Sequence, residues 1–255
     1  MNTENNSNLT EEGAPPPPLA DRNYRLACVL FLVGLFLGGL AMQTMQSALG
    51  GSPSAVASFL AGLLPFQVCG FALAIAGLWP LLSRYGWRVT LGVKPVSPGA
   101  SHLWWCVKAL CVLYPAVMVV NLISQKICTL LGIPLQLQAV ELFGARHPGW
   151  PFWMLGLLTA VILAPVTEEI LFRQVVFRTL RSMMPLWATG LSAMIFALAH
   201  GNAQYFAGLL VVGLFLQHAR NTGGLGRSIL LHALFNMISF CYIYYSVTFQ
   251  TNGGA

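Results

Sequence analysis

Seven apolar stretches, near residues 26–48, 54–82, 103–131, 152–181, 186–201, 203–220 and 228–248, constrain this chain more than any other feature. A helix rising 1.5 Å per residue needs about 20 apolar residues to cross the hydrocarbon core of a bilayer. Backbone polar groups find no water there, so a crossing segment must close its hydrogen bonds within itself. Of the 255 residues, 56% are hydrophobic and only 8% charged, too few to clothe a soluble domain of this size. The expected fold is all-α: a polytopic membrane helical bundle of about seven transmembrane helices.

Gly and Pro punctuate these stretches. "GGSP" ends the first, "SRYGWR" the second, "MMP" at 183–185 separates the fourth from the fifth, and "NTGGLGR" precedes the last. Residues 1–21 read as a disordered, acidic, Pro-rich cytoplasmic tail with no apolar signal segment. Residues 22–149 hold the N-terminal transmembrane helices, with an amphipathic loop at 132–150 that suits an interfacial helix or a lid. Residues 150–248 form the helical core that carries the polar residues of interest, and 249–255 a short tail.

The net charge is +6, but its distribution says more. Beyond the tail the only acids are Glu141, Glu168 and Glu169. Bases sit singly at the edges of apolar runs, which suits lipid headgroups as partners and argues against a nucleic-acid groove. With the N-terminus cytoplasmic, that side collects Arg22, Arg25, Arg84, Arg88, Lys94, Arg178, Arg181, Arg220 and Arg227. The other side has only Lys126 and Arg146. The positive-inside rule then orients the protein with its N-terminus inside, in the cytoplasmic membrane. The six cysteines lie in or beside apolar runs with no CxxC, and read as small buried hydrophobes.

Polar residues inside the spans need a reason, because each costs a few kcal/mol on insertion scales. Glu169 and Arg173 are four apart in the favourable order and read as a structural ion pair. Glu168 points about 100° away from Glu169 on a regular helix and has no basic neighbour on its own helix. Its partner must come from elsewhere. Glu168 and His200 each lie sixteen residues from position 184. In an antiparallel hairpin both are then about 24 Å from the turn, so they are expected to meet. In the last span His232 and Asn236 share a face. A carboxylate with an imidazole can take a proton from water. A second imidazole and an amide can stabilise an oxyanion. These are the parts of a hydrolase acting on an amide inside a membrane.

The ordered motifs EExxxR at 168–173, FxxxH at 196–200 and HxxxN at 232–236 resemble those of the CPBP family, the CAAX prenyl-protease and bacteriocin-processing (Abi) intramembrane proteases. The resemblance covers about residues 150–248, with Gln174 standing where family members often carry Gly. It implies that Glu168 is the water-activating base with His200 as partner. His232 and Asn236 would stabilise the oxyanion, Glu169 and Arg173 organise the helix, and Phe196 packs near the site. It also implies a membrane-associated or prenylated peptide or protein substrate. No cofactor is required in this reading; the alternative is a metalloprotease holding zinc through Glu168, His200 and His232.

Other intramembrane proteases fail on residues. The only Asp is Asp21, HExxH is absent, and the serine of "GGSPS" sits in a turn. Two non-proteolytic classes remain: a bacteriocin-immunity or scaffold protein, and a proton-coupled transporter, against which the lack of an inverted repeat counts.

Overall fold

The computed structural model describes residues 19–48, 55–93, 100–135 and 149–250. Among them there is no strand, and six helical stretches follow one another: α1 (Leu19–Ala48), α2 (Ala55–Leu91), α3 (Ala100–Leu130), α4 (Trp150–Met183), α5 (Ala188–Ala199) and α6 (Ala203–Gln250). Most of the expected tail and most of the amphipathic loop, 1–18 and 136–148, lie outside the described residues. The helix that starts at Leu19 takes in the last three positions assigned to the tail.

Five of these helices, all but α5, are long and apolar enough to cross a membrane. The protein is therefore an integral membrane protein of the expected class, and the count of seven is approximate for two physical reasons. The fifth expected span is α5, with only 12 residues, or about 18 Å of rise, too short to cross the hydrocarbon core alone. The sixth and seventh are one stretch that folds back at Gly224 (φ 79°), a left-handed conformation open to glycine. The reversal is fixed by Ser228, whose Oγ lies 2.9 Å from the Leu216 carbonyl. Twelve residues of continuous helix would separate them by about 18 Å.

Large apolar side chains such as Phe36, Leu122, Leu130 and Tyr242 face outward, as expected where the solvent is lipid. Of the cysteines, Cys106 and Cys128 are buried, but Cys111 and Cys241 are exposed, so the reading of all six as core residues holds only in part.

With lipid outside, helices associate through close contact and polar bonds. α1 and α2 run antiparallel, and a methyl added at Gly77 would lie 2.5 Å from the Ala27 Cα. α3 lies along α6, with Tyr114 against Phe235 and Trp105 against His218. The central core is built from Phe31, Ala74, Leu113, Phe172, Phe196, Leu216 and Leu231, so every helix contributes to it. α4 and α5 form the expected hairpin, joined by Ser192 Oγ donating to the Phe172 carbonyl at 3.0 Å.

Candidate active site

α4 is not a regular α-helix. It winds into π turns at Thr159–Leu163 and again at Glu169–Val176, on either side of a short α segment that ends at Glu168. π turns are rare and concentrate at functional sites. The second one buries Glu169 and Arg173 completely and joins Arg173 Nε to Glu169 Oε2 at 3.2 Å. The expected ion pair is present. The Arg173 guanidinium also lies 4.9 Å over the Phe196 ring.

Glu169 does more than neutralise Arg173. Its Oε2 also accepts from the Ser228 hydroxyl, and its Oε1 accepts from His232 Nδ1 at 3.1 Å. Ser228, His232 and Asn236 are successive positions at helical spacing on the second arm of α6, so one face delivers all three. Holding Nδ1 in this way fixes the orientation of the ring and turns Nε2 outward. That nitrogen faces Glu168 Oε2 at 3.8 Å. The Glu168 side chain keeps 19% of its surface exposed, whereas the other members of the cluster are almost fully buried. His232 thus stands between two carboxylates, one sealed and one open.

Asn236 is anchored by a defect in α4. In π winding the N–H that reaches the Ala160 carbonyl belongs to residue 165, which is a proline with no N–H. Asn236 Nδ2 donates to that carbonyl at 2.8 Å. One amide N–H is spent on this bond, and the second stays available.

His200 caps α5, and its Nδ1 donates to the Phe196 carbonyl at 2.8 Å, which leaves Nε2 as the free nitrogen of the neutral ring. Phe196 packs between the two histidines, with ring centres 4.8 Å from His200 and 5.9 Å from His232. Among the described residues no hydrogen bond or ion pair joins Glu168 to His200; the ionic neighbour of Glu168 is His232. The depth argument assumed regular rise between Glu168 and position 184, and π winding over 169–176 breaks that assumption.

Sequence reasoning missed Ser228 and the Ala160 carbonyl. Ser228 carried a signal, since it precedes His232 by one turn. The carbonyl carried none beyond Pro165. Among the described residues no group of three His, Cys, Asp or Glu stands ready to hold a metal.

Residues 149–238 match the family described as Type II CAAX prenyl endopeptidase Rce1-like. This stretch is similar to Rce1-like domains. It begins one residue before α4 and ends two after Asn236, so it spans all three motifs, and the resemblance read from them holds. An uncharacterized 24.3 kDa protein of Escherichia coli is 35% identical over 136 residues, covering 50% of this chain and 58% of that protein. The likeness thus takes in little more than half of either. No solved structure matches the chain. Within the matched stretch, α4 contributes the carboxylates, α5 and its C-cap Phe196 and His200, and α6 Ser228, His232 and Asn236.

Proposed function

We propose that this chain is an intramembrane endopeptidase that hydrolyses a peptide bond of a membrane-associated or prenylated protein. Glu168 takes a proton from a water molecule, with the free Nε2 of His200 as its partner. The hydroxide attacks the carbonyl carbon of the substrate, and the carbonyl oxygen becomes an oxyanion. Glu168 then returns the proton to the departing amine nitrogen, and the C–N bond breaks. His232 and Asn236 stabilise the oxyanion.

To donate through Nε2 while Nδ1–H is held by Glu169, His232 must be an imidazolium. Glu169 supplies the counter-charge. With Glu168 and Glu169 ionised and Arg173 and His232 cationic, the cluster is neutral, the least costly state in a low dielectric. The observation that carries this reading is the placement of His232 Nε2 at 3.8 Å from a partly exposed Glu168, with Nδ1 fixed on a buried carboxylate. The excess of bases at one end of the bundle supports a cytoplasmic N-terminus and residence in the cytoplasmic membrane.

Comparative membrane proteomics of cells carrying Glu168→Gln against wild type tests the function. A protein should accumulate in its longer form in the variant. Identical membrane proteomes, with the variant expressed at wild-type level, would reject the protease reading in favour of an immunity or scaffold role.

A further inference from the structure

At one end of the bundle α1 and α3 begin, α2 and α4 end, and α6 turns. Three bonds tie four of these ends together. The Tyr24 hydroxyl and Gln174 Nε2 both donate to the Thr90 carbonyl, each at 2.6 Å. Arg220 Nη2 donates to Gln174 Oε1 at 2.7 Å. Just past Thr90 the chain turns at Gly92 with φ 63°. A Cβ at Gly92 would lie 3.0 Å from Arg220 Nη2 and 3.4 Å from Arg178 Nη2, so two guanidinium groups converge on the same glycine.

Among the described residues no acid pairs with them, although Asp21 stands at this end in the first turn of α1. The described acids are Asp21, Glu168 and Glu169, and the only salt bridges among them join Glu168 and Glu169 to Arg173 and His232. Arg178 rests 5.0 Å over the Tyr24 ring and makes no hydrogen bond or ion pair within the described residues. Arg220 uses Nη2 on Gln174, and its Nε has no partner. Arg181, one turn beyond Arg178, adds further repulsion on Arg220. Like charges held this close repel unless an anion screens them. A planar guanidinium fork is matched best by carboxylate or phosphate oxygens. Arg22, Arg25, Arg84, Arg88 and Arg227 lie at the same end, which makes it the face suited to an anionic leaflet.

We propose that Arg178 and Arg220, with Arg181 beside them, form a binding site for a phosphate-bearing anion, supplied by the headgroup of an anionic phospholipid. The site is separate from the Glu168–His232 centre and stands whether or not that centre is catalytic. Gly92 belongs to it because a side chain there would press against both guanidiniums. Phosphatidylcholine, whose ammonium neutralises its own phosphate, is a poor occupant.

The full-length protein, purified in a neutral detergent, is titrated with phosphatidylglycerol, phosphatidylcholine or inorganic phosphate. Thermal unfolding and native mass spectrometry follow binding. Phosphatidylglycerol should raise the Tm and be retained on the protein, and phosphatidylcholine should do neither. Arg178→Gln, which breaks no hydrogen bond between helices, should weaken retention about fivefold, the factor corresponding to about 1 kcal/mol for one arginine near a charged leaflet. Arg84→Gln, at the same end but outside the cluster, should bind like wild type. Equal losses in the two variants would mean diffuse attraction and overturn the site, as would a wild type that does not distinguish the two lipids. A full Tm rise with inorganic phosphate alone would reject the lipid as the source.

Discussion

Glu169 and His232, 63 residues apart in sequence, meet at 3.1 Å between a carboxylate oxygen and Nδ1. That bond links α4 to α6 and sets which nitrogen His232 turns toward Glu168. It gives the second glutamate of the EE pair a task distinct from the one proposed for the first: Glu169 orients His232, and the proposed mechanism assigns the reaction with water to Glu168.

Glu168→Gln should therefore separate chemistry from stability. Glu168 Oε2 makes no hydrogen bond, and its nearest ionic neighbour is 3.8 Å away. The isosteric amide removes the base and little else. Cleavage should fall at least about a hundredfold, the low end of what a general base contributes, with unfolding almost unchanged. A purified variant that cleaves a membrane-tethered reporter at near wild-type rate would end the assignment.

Arg173→Ala should act in the opposite way. It strands the buried Glu169 carboxylate without its cation, at a cost of about 3–5 kcal/mol. Glu169→Gln combined with Arg173→Met removes both charges and should recover most of that loss. The double variant should still cleave poorly, because His232 loses its counter-charge. Denaturation in detergent, alongside activity, checks both halves. A double variant as unstable as Arg173→Ala would refute the ion-pair account.

What could be read in advance was local. Spacing alone placed Glu169 with Arg173, and His232 with Asn236. The bond from Glu169 to His232 was hidden because it joins two helices, and because π winding changes which residues share a face. The same winding alters the regular rise on which the depth argument for His200 rested. Gln174 looked only like a departure from the family pattern. Its partners, Thr90 and Arg220, lie 84 and 46 residues away in sequence and on other helices. No periodicity reports such contacts.

Gln174→Gly should destabilise the protein. Gln174 is fully buried and bridges the Thr90 carbonyl to Arg220. Losing both bonds and leaving Arg220 with one partner fewer should cost about 1–3 kcal/mol, with a further penalty for the cavity. The active-site cluster is untouched, so the rate per folded molecule should stay near wild type. A variant as stable as wild type would mean the bridge contributes nothing.

Asn236→Ala should lower kcat by about a hundredfold to a thousandfold with little change in KM, as expected for a donor that acts on the oxyanion. Its second amide N–H is free because the first is anchored on the Ala160 carbonyl. Asn236→Leu, of similar size and with no donor, should be no better than Ala. Equal loss in KM and none in kcat would move Asn236 from chemistry to substrate binding.

The last expectation concerns metal. A zinc centre would need Glu168, His200 and His232 as three ligands with a water in the fourth place, each about 2.0–2.2 Å from the ion. His232 and His200 each hold Nδ1 on a protein oxygen and leave Nε2 free, an arrangement that zinc ligands also adopt. Their remaining nitrogens do not converge with Glu168 into a three-ligand set among the described residues. The proposed mechanism already gives the oxyanion a donor in Asn236, fixed one turn from His232. The purified enzyme should therefore retain its cleavage rate after prolonged dialysis against a strong chelator and carry well under one zinc per chain. Metal analysis must accompany the chelator, since a buried ion leaves slowly. Stoichiometric zinc, activity lost on its removal and activity restored on its return would overturn the metal-free mechanism and make Glu168, His200 and His232 ligands.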